Sequence, residues 1–256
     1  MNDAVVVKGG RPILTVPYFR LEEGESVAIL GPNGSGKSTF IKLITREYLP
    51  LFRENPPVIF RGQKRPVLAE MRAALGILSS TMQNEISVHL PAIDIVAGGL
   101  FATLGLPQII KEEDKDRARV KADAAMKILG IEDIESQDVK TLSTGQARRV
   151  LVARALIHNP EALIFDEPCT GLDPSGMYYI RESMRDLIKR GKSIVLVSHY
   201  PEDIIPEINR IVLLKDGKIF ADGPKEDLLT TDIMQDLFEV PVEIRRNGET
   251  YSLVST

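Results

Sequence analysis

The sequence predicts an α/β fold: a mostly parallel sheet alternating with helices, interrupted by one helical insertion. Three observations carry that expectation. A short apolar run ends in a Gly-rich turn, "GPNGSGKST" (Gly31–Thr39), which opens a helical pattern. Two further apolar runs, "ALIFDEP" (Ala162–Pro168) and "SIVLVSH" (Ser193–His199), each follow a helical pattern, as buried parallel strands do. Between residues 84 and 140 such strand runs are missing and helical spacing dominates.

Taken in order, "SVAIL" (Ser26–Leu30) reads as a strand that stops at Gly31. Phe40, Ile41, Leu43 and Ile44 then recur at helical spacing. Residues 50–66, rich in Pro, Arg and Asn, read as loop or weak strand. The stretch from Lys111 to Gly130 opens with both signs of charge, a solvated face. It then shows an apolar stripe at Ala118, Ala122, Ala125, Met126 and Leu129, with Gly130 where a helix C-cap belongs. Ser143 reads as the N-cap of a helix whose apolar residues are Val150, Leu151, Ala153, Ala155 and Leu156. A further helix starts at Asp173 (N-cap) and Pro174 (N1), shows an apolar stripe at Met177, Ile180, Met184 and Leu187, and ends at Gly191. Two hairpins close the chain, turning at Asp216–Gly217 and at Asn247–Gly248.

With 256 residues, 43% apolar and 27% charged, the chain has the composition of a globular domain large enough for one sizeable core. Its net charge of −4 argues against a general nucleic-acid or acidic-lipid surface. Cys169 is the only cysteine, so no internal disulfide forms and a reducing compartment is expected. The opening "MNDAVVVKGG" lacks the pattern of a secretory signal. The most membrane-like stretch, Ile95–Leu106, is far short of the roughly 18–20 residues a spanning helix needs and is expected to be a buried or interface helix.

"GPNGSGKST" fits G-x-x-x-x-G-K-[ST] once, in the strand–loop–helix context that the motif requires. Its glycines let backbone N–H groups converge on phosphate oxygens, and the helix that follows aims its positive end at them. Lys37 supplies a point charge for the β and γ phosphates and Ser38 a hydroxyl for Mg²⁺. Asp166 ends a central strand, where a carboxylate holds the Mg²⁺ shell. Glu167, one residue on, is placed to polarise an attacking water. His199 ends the next strand on the same carboxyl edge and is assigned a γ-phosphate contact or alignment of that water. His89 and His158 are read as structural.

"GPNGSGKST", "LSTGQ" (Leu142–Gln146), "LIFDEP", "GLDP" (Gly171–Pro174) and "SH" (Ser198–His199) stand in the order and at roughly the spacings of the ATP-binding cassette (ABC) ATPases. The chain resembles that family from residue 1 to about residue 230. The resemblance implies a P-loop NTPase core with a mostly parallel sheet and an N-terminal antiparallel β part. One ABC ATPase domain would comprise a nucleotide-binding core (1–83 and 141–230), a helical subdomain (about 84–140) and a C-terminal extension (about 231–256).

It further implies a head-to-tail dimer around two Mg-ATP. Each nucleotide would touch Gly31, Pro32, Asn33, Gly34, Ser35, Gly36, Lys37, Ser38 and Thr39 of one copy and Ser143, Thr144, Gly145 and Gln146 of the other. Lys37, Glu167 and His199 would be catalytic, and Ser38, Asp166 and a loop glutamine would serve the metal. That glutamine is assigned to Gln83, although the strict register falls on Ser80. Two other departures stand out. Thr144 replaces the usual Gly or Ser. The aromatic that usually stacks on adenine is missing from "VVVKGGRPIL", leaving Val7, Tyr18 or Phe19. Soluble family members usually carry two cassettes or a coiled-coil insertion, so a single cassette resembles the separate ATPase subunit of a transporter. That subunit would lie in the cytoplasm, held to the inner membrane face by integral-membrane permease subunits. "AIDIVAGGLF" and the tail "FEVPVEIRRNGETYSLV" resemble importer subunits for metals, metal chelates or oxyanions. The rival expectation is a non-transport ABC ATPase acting in DNA repair or on ribosomes.

Overall fold

The computed structural model describes residues 1–79, 82 and 86–255. It is a mixed α/β structure with a mostly parallel sheet and an antiparallel N-terminal part. Its internal contacts group into two compact units. Met1–Leu75 and Ser193–Thr256 form the first, and Gly76–Lys192 form the second.

In the first unit, β1 (Asn2–Lys8) and β2 (Arg11–Tyr18) make an antiparallel hairpin. Its loop residues Gly9 and Gly10 have φ of 58° and 77°, the positive pair of a type I′ turn. β1 and β2 bury alternate residues (Ala4, Val6, Leu14, Val16), as a one-sided strand pair should. β3 (Val27–Leu30) is buried along its whole length because it is a central strand. It lies parallel to β6 (Ser193–Ser198) on one side and to β7 (Arg210–Lys215) on the other. β8 (Lys218–Pro224) returns antiparallel to β7 and joins β2. The strand order in this unit is β1-β2-β8-β7-β3-β6. The β7–β8 turn has positive φ at both Asp216 (50°) and Gly217 (70°), the type I′ turn expected there. Two helices follow the central strand in sequence, α1 (Lys37–Ile44) and α2 (Leu68–Ala74), the second not among the expected elements.

The remaining strand of the core face, β4 (Leu75–Ser79), begins where the second unit begins and neighbours β5 (Ala162–Asp166). Around them the second unit is helical. The apolar stretch at Ile95–Leu106 is only partly a helix. α3 (Ala92–Gly98) runs into a 3-10 turn, Gly99–Phe101, and the chain then reverses. A side chain at Gly98 would meet the Thr103 carbonyl at 2.7 Å, so glycine permits the reversal. α4 (Glu112–Ile128) buries Ala118, Ala122, Ala125 and Met126, the stripe expected. It packs on α3 and on α5 (Thr144–Leu156), and Gly130 follows it in the left-handed region with φ 59°. α6 (Pro174–Lys189) packs on α5 and starts with Asp173 and Pro174 at the positions expected.

The tail, in the first unit, holds α7 (Lys225–Leu228), α8 (Thr231–Phe238) and a hairpin of β9 (Val242–Asn247) with β10 (Thr250–Ser255). Its turn lies one residue beyond the expected place. Asn247 pairs with Thr250, so Gly248 and Glu249 form the loop and only Gly248, with φ 61°, is left-handed. A glycine in the first loop position gives the sign pattern of a type II′ turn.

Candidate functional site

The site residues fall into two groups, one in each unit, and each group is built locally. In the first, β3 delivers the chain into Gly31 and α1 takes it away at Lys37. Gly36, the N-cap, has φ 104°, and Gly34 has φ 81°. A side chain at Gly31 would meet the Leu214 carbonyl at 2.2 Å and Ser35 Oγ at 2.6 Å. The loop is therefore wrapped tightly against β7, with its backbone fixed by residues that have no Cβ. Lys37 is buried, and its Nζ donates to the carbonyls of Gly31 at 2.7 Å and Pro32 at 3.0 Å. Ser35 Oγ is buried and has no hydrogen-bond partner among the described residues. A hydroxyl in that condition costs about 1–3 kcal/mol until a ligand satisfies it, so the cradle fits a bound phosphate group. Ser38, in the first turn of α1, is exposed and Thr39 half-buried.

The sequence reading missed the piece that braces this loop. Gly217, in the β7–β8 turn, donates its N–H to the Ser35 carbonyl at 3.0 Å and accepts from Thr15 N–H at 2.7 Å. It thereby ties the phosphate loop to β2. In the sequence the dipeptide Asp216–Gly217 signals only a turn. Nothing in the local pattern says that this turn touches a loop about 180 residues earlier in the sequence.

His199 belongs to the same unit. Leu30 pairs with Ser198 in register, so Gly31 and His199 are the next positions on neighbouring parallel strands. The structure thus brings His199 to the strand edge where the phosphate loop begins. Ser198 Oγ donates to Asp203 Oδ2 at 2.6 Å and accepts from Tyr200 N–H at 3.0 Å, which fixes the turn on both sides of His199. The His199 ring lies against Tyr200, with centroids 4.0 Å apart. Among the adenine candidates, Phe19 is taken by the core: it packs edge-on to Phe40 with centroids 5.0 Å apart. Tyr18 is exposed and Val7 half-buried.

The second group lies on β5, α5 and α6. β5 buries Ala162 to Phe165 and leaves Asp166 partly exposed at its end. Glu167 follows with φ 51°, a left-handed conformation rare for a non-glycine residue. α5 opens with a reciprocal cap. Ser143 Oγ accepts from Gln146 N–H at 3.2 Å, and Gln146 Oε1 accepts from Ser143 N–H at 2.9 Å. Ser143 and Gln146 therefore hold each other and hold the helix end in shape. Gly145 has a further reason to be glycine: a Cβ there would lie 3.1 Å from the Gly176 Cα on α6. Thr144 is exposed at the helix start. The acidic side chain of Asp173 caps α6, accepting from Gly176 N–H at 2.7 Å.

Two arginines of α5 were not read as site residues. Arg148 is 3% exposed and donates to three main-chain carbonyls, Glu167 at 3.4 Å, Pro168 at 3.2 Å and Thr170 at 3.3 Å. Burial pulls its guanidinium below the usual arginine range, while the neighbouring Cys169 opposes the shift. Arg149 caps the end of α4 through the Leu129 and Gly130 carbonyls and lies 5.0 Å over the Tyr179 ring. His158 sits against the Gly99 carbonyl at 3.2 Å, and His89 against the Asp138 carboxylate at 2.7 Å. Gln83 and Ser80 lie outside the described residues.

Ser38 in the first unit and Asp166 in the second each offer an oxygen of the kind that hard divalent cations take as ligands. Among the described residues no group of three or more His, Cys, Asp or Glu gathers at one point, and no helix is long and apolar enough to cross a membrane.

Residues 14–170 match the protein family described as ABC transporter. The ABC transporter ATP-binding protein YlmA of Bacillus subtilis (strain 168) is 29% identical over 255 residues, 97% of this chain and 94% of its own length. The energy-coupling factor transporter ATP-binding protein EcfA of Methanocaldococcus jannaschii is 34% identical over 223 residues, 85% of this chain and 75% of its own. Among solved structures, cbiO1 from Clostridium perfringens, described as part of the ABC transporter complex cbiONQ, aligns with a TM-score of 0.71 at 25% identity. That alignment covers 92% of this chain and 91% of the other.

Proposed function

From the premise that this chain belongs to the ABC transporter family and is an ATPase of it, we propose that it binds Mg-ATP in a head-to-tail dimer and powers separate membrane subunits. The single observation that carries this reading is the cradle itself: left-handed glycines, a buried lysine and an unsatisfied buried Ser35 hydroxyl, all at the start of α1.

In this reading Gly31 to Thr39 bind the triphosphate through backbone N–H groups, and Lys37 exchanges its loop carbonyls for β and γ oxygens. Ser38 and Asp166, with Gln83, would hold Mg²⁺, which when bound would supply positive charge against the phosphate oxygens. Glu167 takes a proton from the attacking water, and His199 orients that water or contacts the γ phosphate. Ser143, Thr144, Gly145 and Gln146 of the second copy present the positive end of α5 to the same phosphate. Loss of the γ phosphate then removes the bridge between copies, and the pair loosens.

The similarity to EcfA, named as the ATP-binding protein of an energy-coupling factor transporter, and to cbiO1, described as part of a transporter complex, supports integral-membrane permease subunits as partners. We assign the direction as import, with a metal, metal chelate or oxyanion as cargo, on the look of "AIDIVAGGLF" and the tail. No nucleic acid and no direct membrane insertion enters this reading. Native co-purification tests it. Membrane subunits are expected with the chain, and ribosomes or DNA in their place would overturn transport.

The base assignment has its own test. Glu167→Gln is expected to lower ATP turnover by roughly 10²–10⁴-fold, the range of a lost general base, and to leave an ATP-bound dimer visible by light scattering. Turnover at the native rate would remove Glu167 from that role.

A further inference from the structure

We propose that Arg148 is the positioning residue for Glu167, holding the loop after β5 to the helix that opens at Ser143. The proposal rests on the ATPase reading above and deepens it.

The geometry is specific. Glu167 adopts φ 51°, which a side chain with a Cβ resists, so neighbouring contacts must hold it there. Arg148 contributes those contacts. Its Nη1 donates to the Glu167 carbonyl itself and to that of Pro168, and Nη2 donates to Thr170. A guanidinium has fixed planar forks, so three carbonyls bound to it cannot move independently. Burying a charged side chain to 3% exposure is costly, and ordinary packing at this helix position would be served by an apolar residue. The cost is rational if the loop needs a rigid set of donors. The far end of the same loop is fixed to α6, which itself touches α5. Gly145 approaches the Gly176 Cα, and Asp173 caps α6. The loop from Glu167 to Asp173 is thus held to α5 at its start and to α6 at its end, and α5 and α6 meet at Gly145 and Gly176. A shift of the helix end that meets the second copy's phosphate is passed through Arg148 to the backbone of the carboxylate that serves this copy's own water.

The test compares Arg148→Met, which keeps length and burial without donors, with Arg148→Lys, which restores one charged donor. Steady-state ATPase, binding of a fluorescent ATP analogue and circular dichroism are measured on the full chain. For Arg148→Met, kcat is expected to fall about ten- to a hundred-fold, as for a reacting group displaced by about an ångström. KM and analogue affinity are expected to stay within about threefold, and Arg148→Lys to recover part of kcat. A role in folding alone would not split kcat from KM or respond to the single donor. An unchanged kcat in Arg148→Met overturns the proposal, and so does loss of folded protein in both variants. If the wild type itself fails to hydrolyse ATP, the ATPase reading falls first. If the wild type is active and Glu167→Gln is dead while Arg148→Met is normal, only the present inference falls.

Discussion

A methyl group at Gly217 would sit 2.5 Å from the Ile13 carbonyl oxygen, in a residue whose φ of 70° already disfavours any Cβ. The same residue holds the Ser35 carbonyl, so strain there is passed to the phosphate loop. Gly217→Val is expected to cost at least about 1–3 kcal/mol in stability, the range for a forced left-handed residue, and to raise the KM for ATP several-fold. Gly223→Ala is the control. Its Cβ would meet only the Leu228 side chain, Cδ1 at 3.8 Å and Cγ at 3.9 Å, and the change is expected to stay within about 0.5 kcal/mol. Chemical denaturation and ATP titration read both variants; a Gly217→Val protein with native KM would disconnect the turn from the cradle. The phosphate loop was legible because its constraint is local, glycines and a lysine at fixed spacing before a helix. Gly217 was not, because its importance arises only when β7, β8 and β2 come together. Arg148 was hidden for a related reason. An arginine on a helix reads as a solvated charge, and only the return of the chain from β5 converts it into a buried clamp.

Helices and strands were mostly readable where their ends carry chemistry. Ser143, and Asp173 with Pro174, announce their helices by capping, and the structure uses both as expected, with Gln146 adding a reciprocal bond that was not among the expectations. The stripe of α4 was equally plain, since alanines recurring at helical spacing imply a close neighbour. α5 was less so. It buries Ala147, Arg148 and Val152 in addition to Val150, Leu151, Ala153 and Leu156, and leaves the expected Ala155 half-buried, because α3, α4 and α6 all pack on it and leave no single apolar face. In the tail, Asn247 stays in β9 and pairs with Thr250 of β10, and the turn slips by one position. Pairing across the hairpin outweighed the local preference of Asn-Gly. The alanine stripe yields a prediction at this scale. Ala122 has no exposed surface, so Ala122→Leu must push α4 off its neighbours. It is expected to destabilise the chain by about 1–3 kcal/mol, the usual cost of overpacking. The phosphate cradle lies in the other compact unit, so affinity for an ATP analogue at a temperature well below the transition should hold. Denaturant unfolding beside analogue titration checks both halves of that statement.

For the molecule as a whole, the informative fact is that two helix starts suited to phosphate, Gly36 before α1 and Ser143 before α5, lie in different compact units of one chain. If each triphosphate uses α1 of one copy and α5 of the other, two defects in different chains can be combined. Lys37→Ala removes the cradle's charge. Thr144→Glu puts an anion at the exposed start of α5, where an acid suits the helix dipole but repels a phosphate. Each variant alone leaves both sites of its homodimer defective. In the mixed dimer one site joins both damaged halves, and the other joins the intact cradle of the Thr144→Glu chain to the intact helix end of the Lys37→Ala chain. With equal amounts and free exchange, half the dimers are mixed. About a quarter of the sites should then be whole, the count that a two-fold isologous pairing requires. Recovered ATPase on mixing, measured against each variant alone at the same total concentration, is the expected result. A mixture no more active than its parts, from chains shown by light scattering to exchange, would mean that each copy completes its own site, and the shared-nucleotide dimer would have to be abandoned.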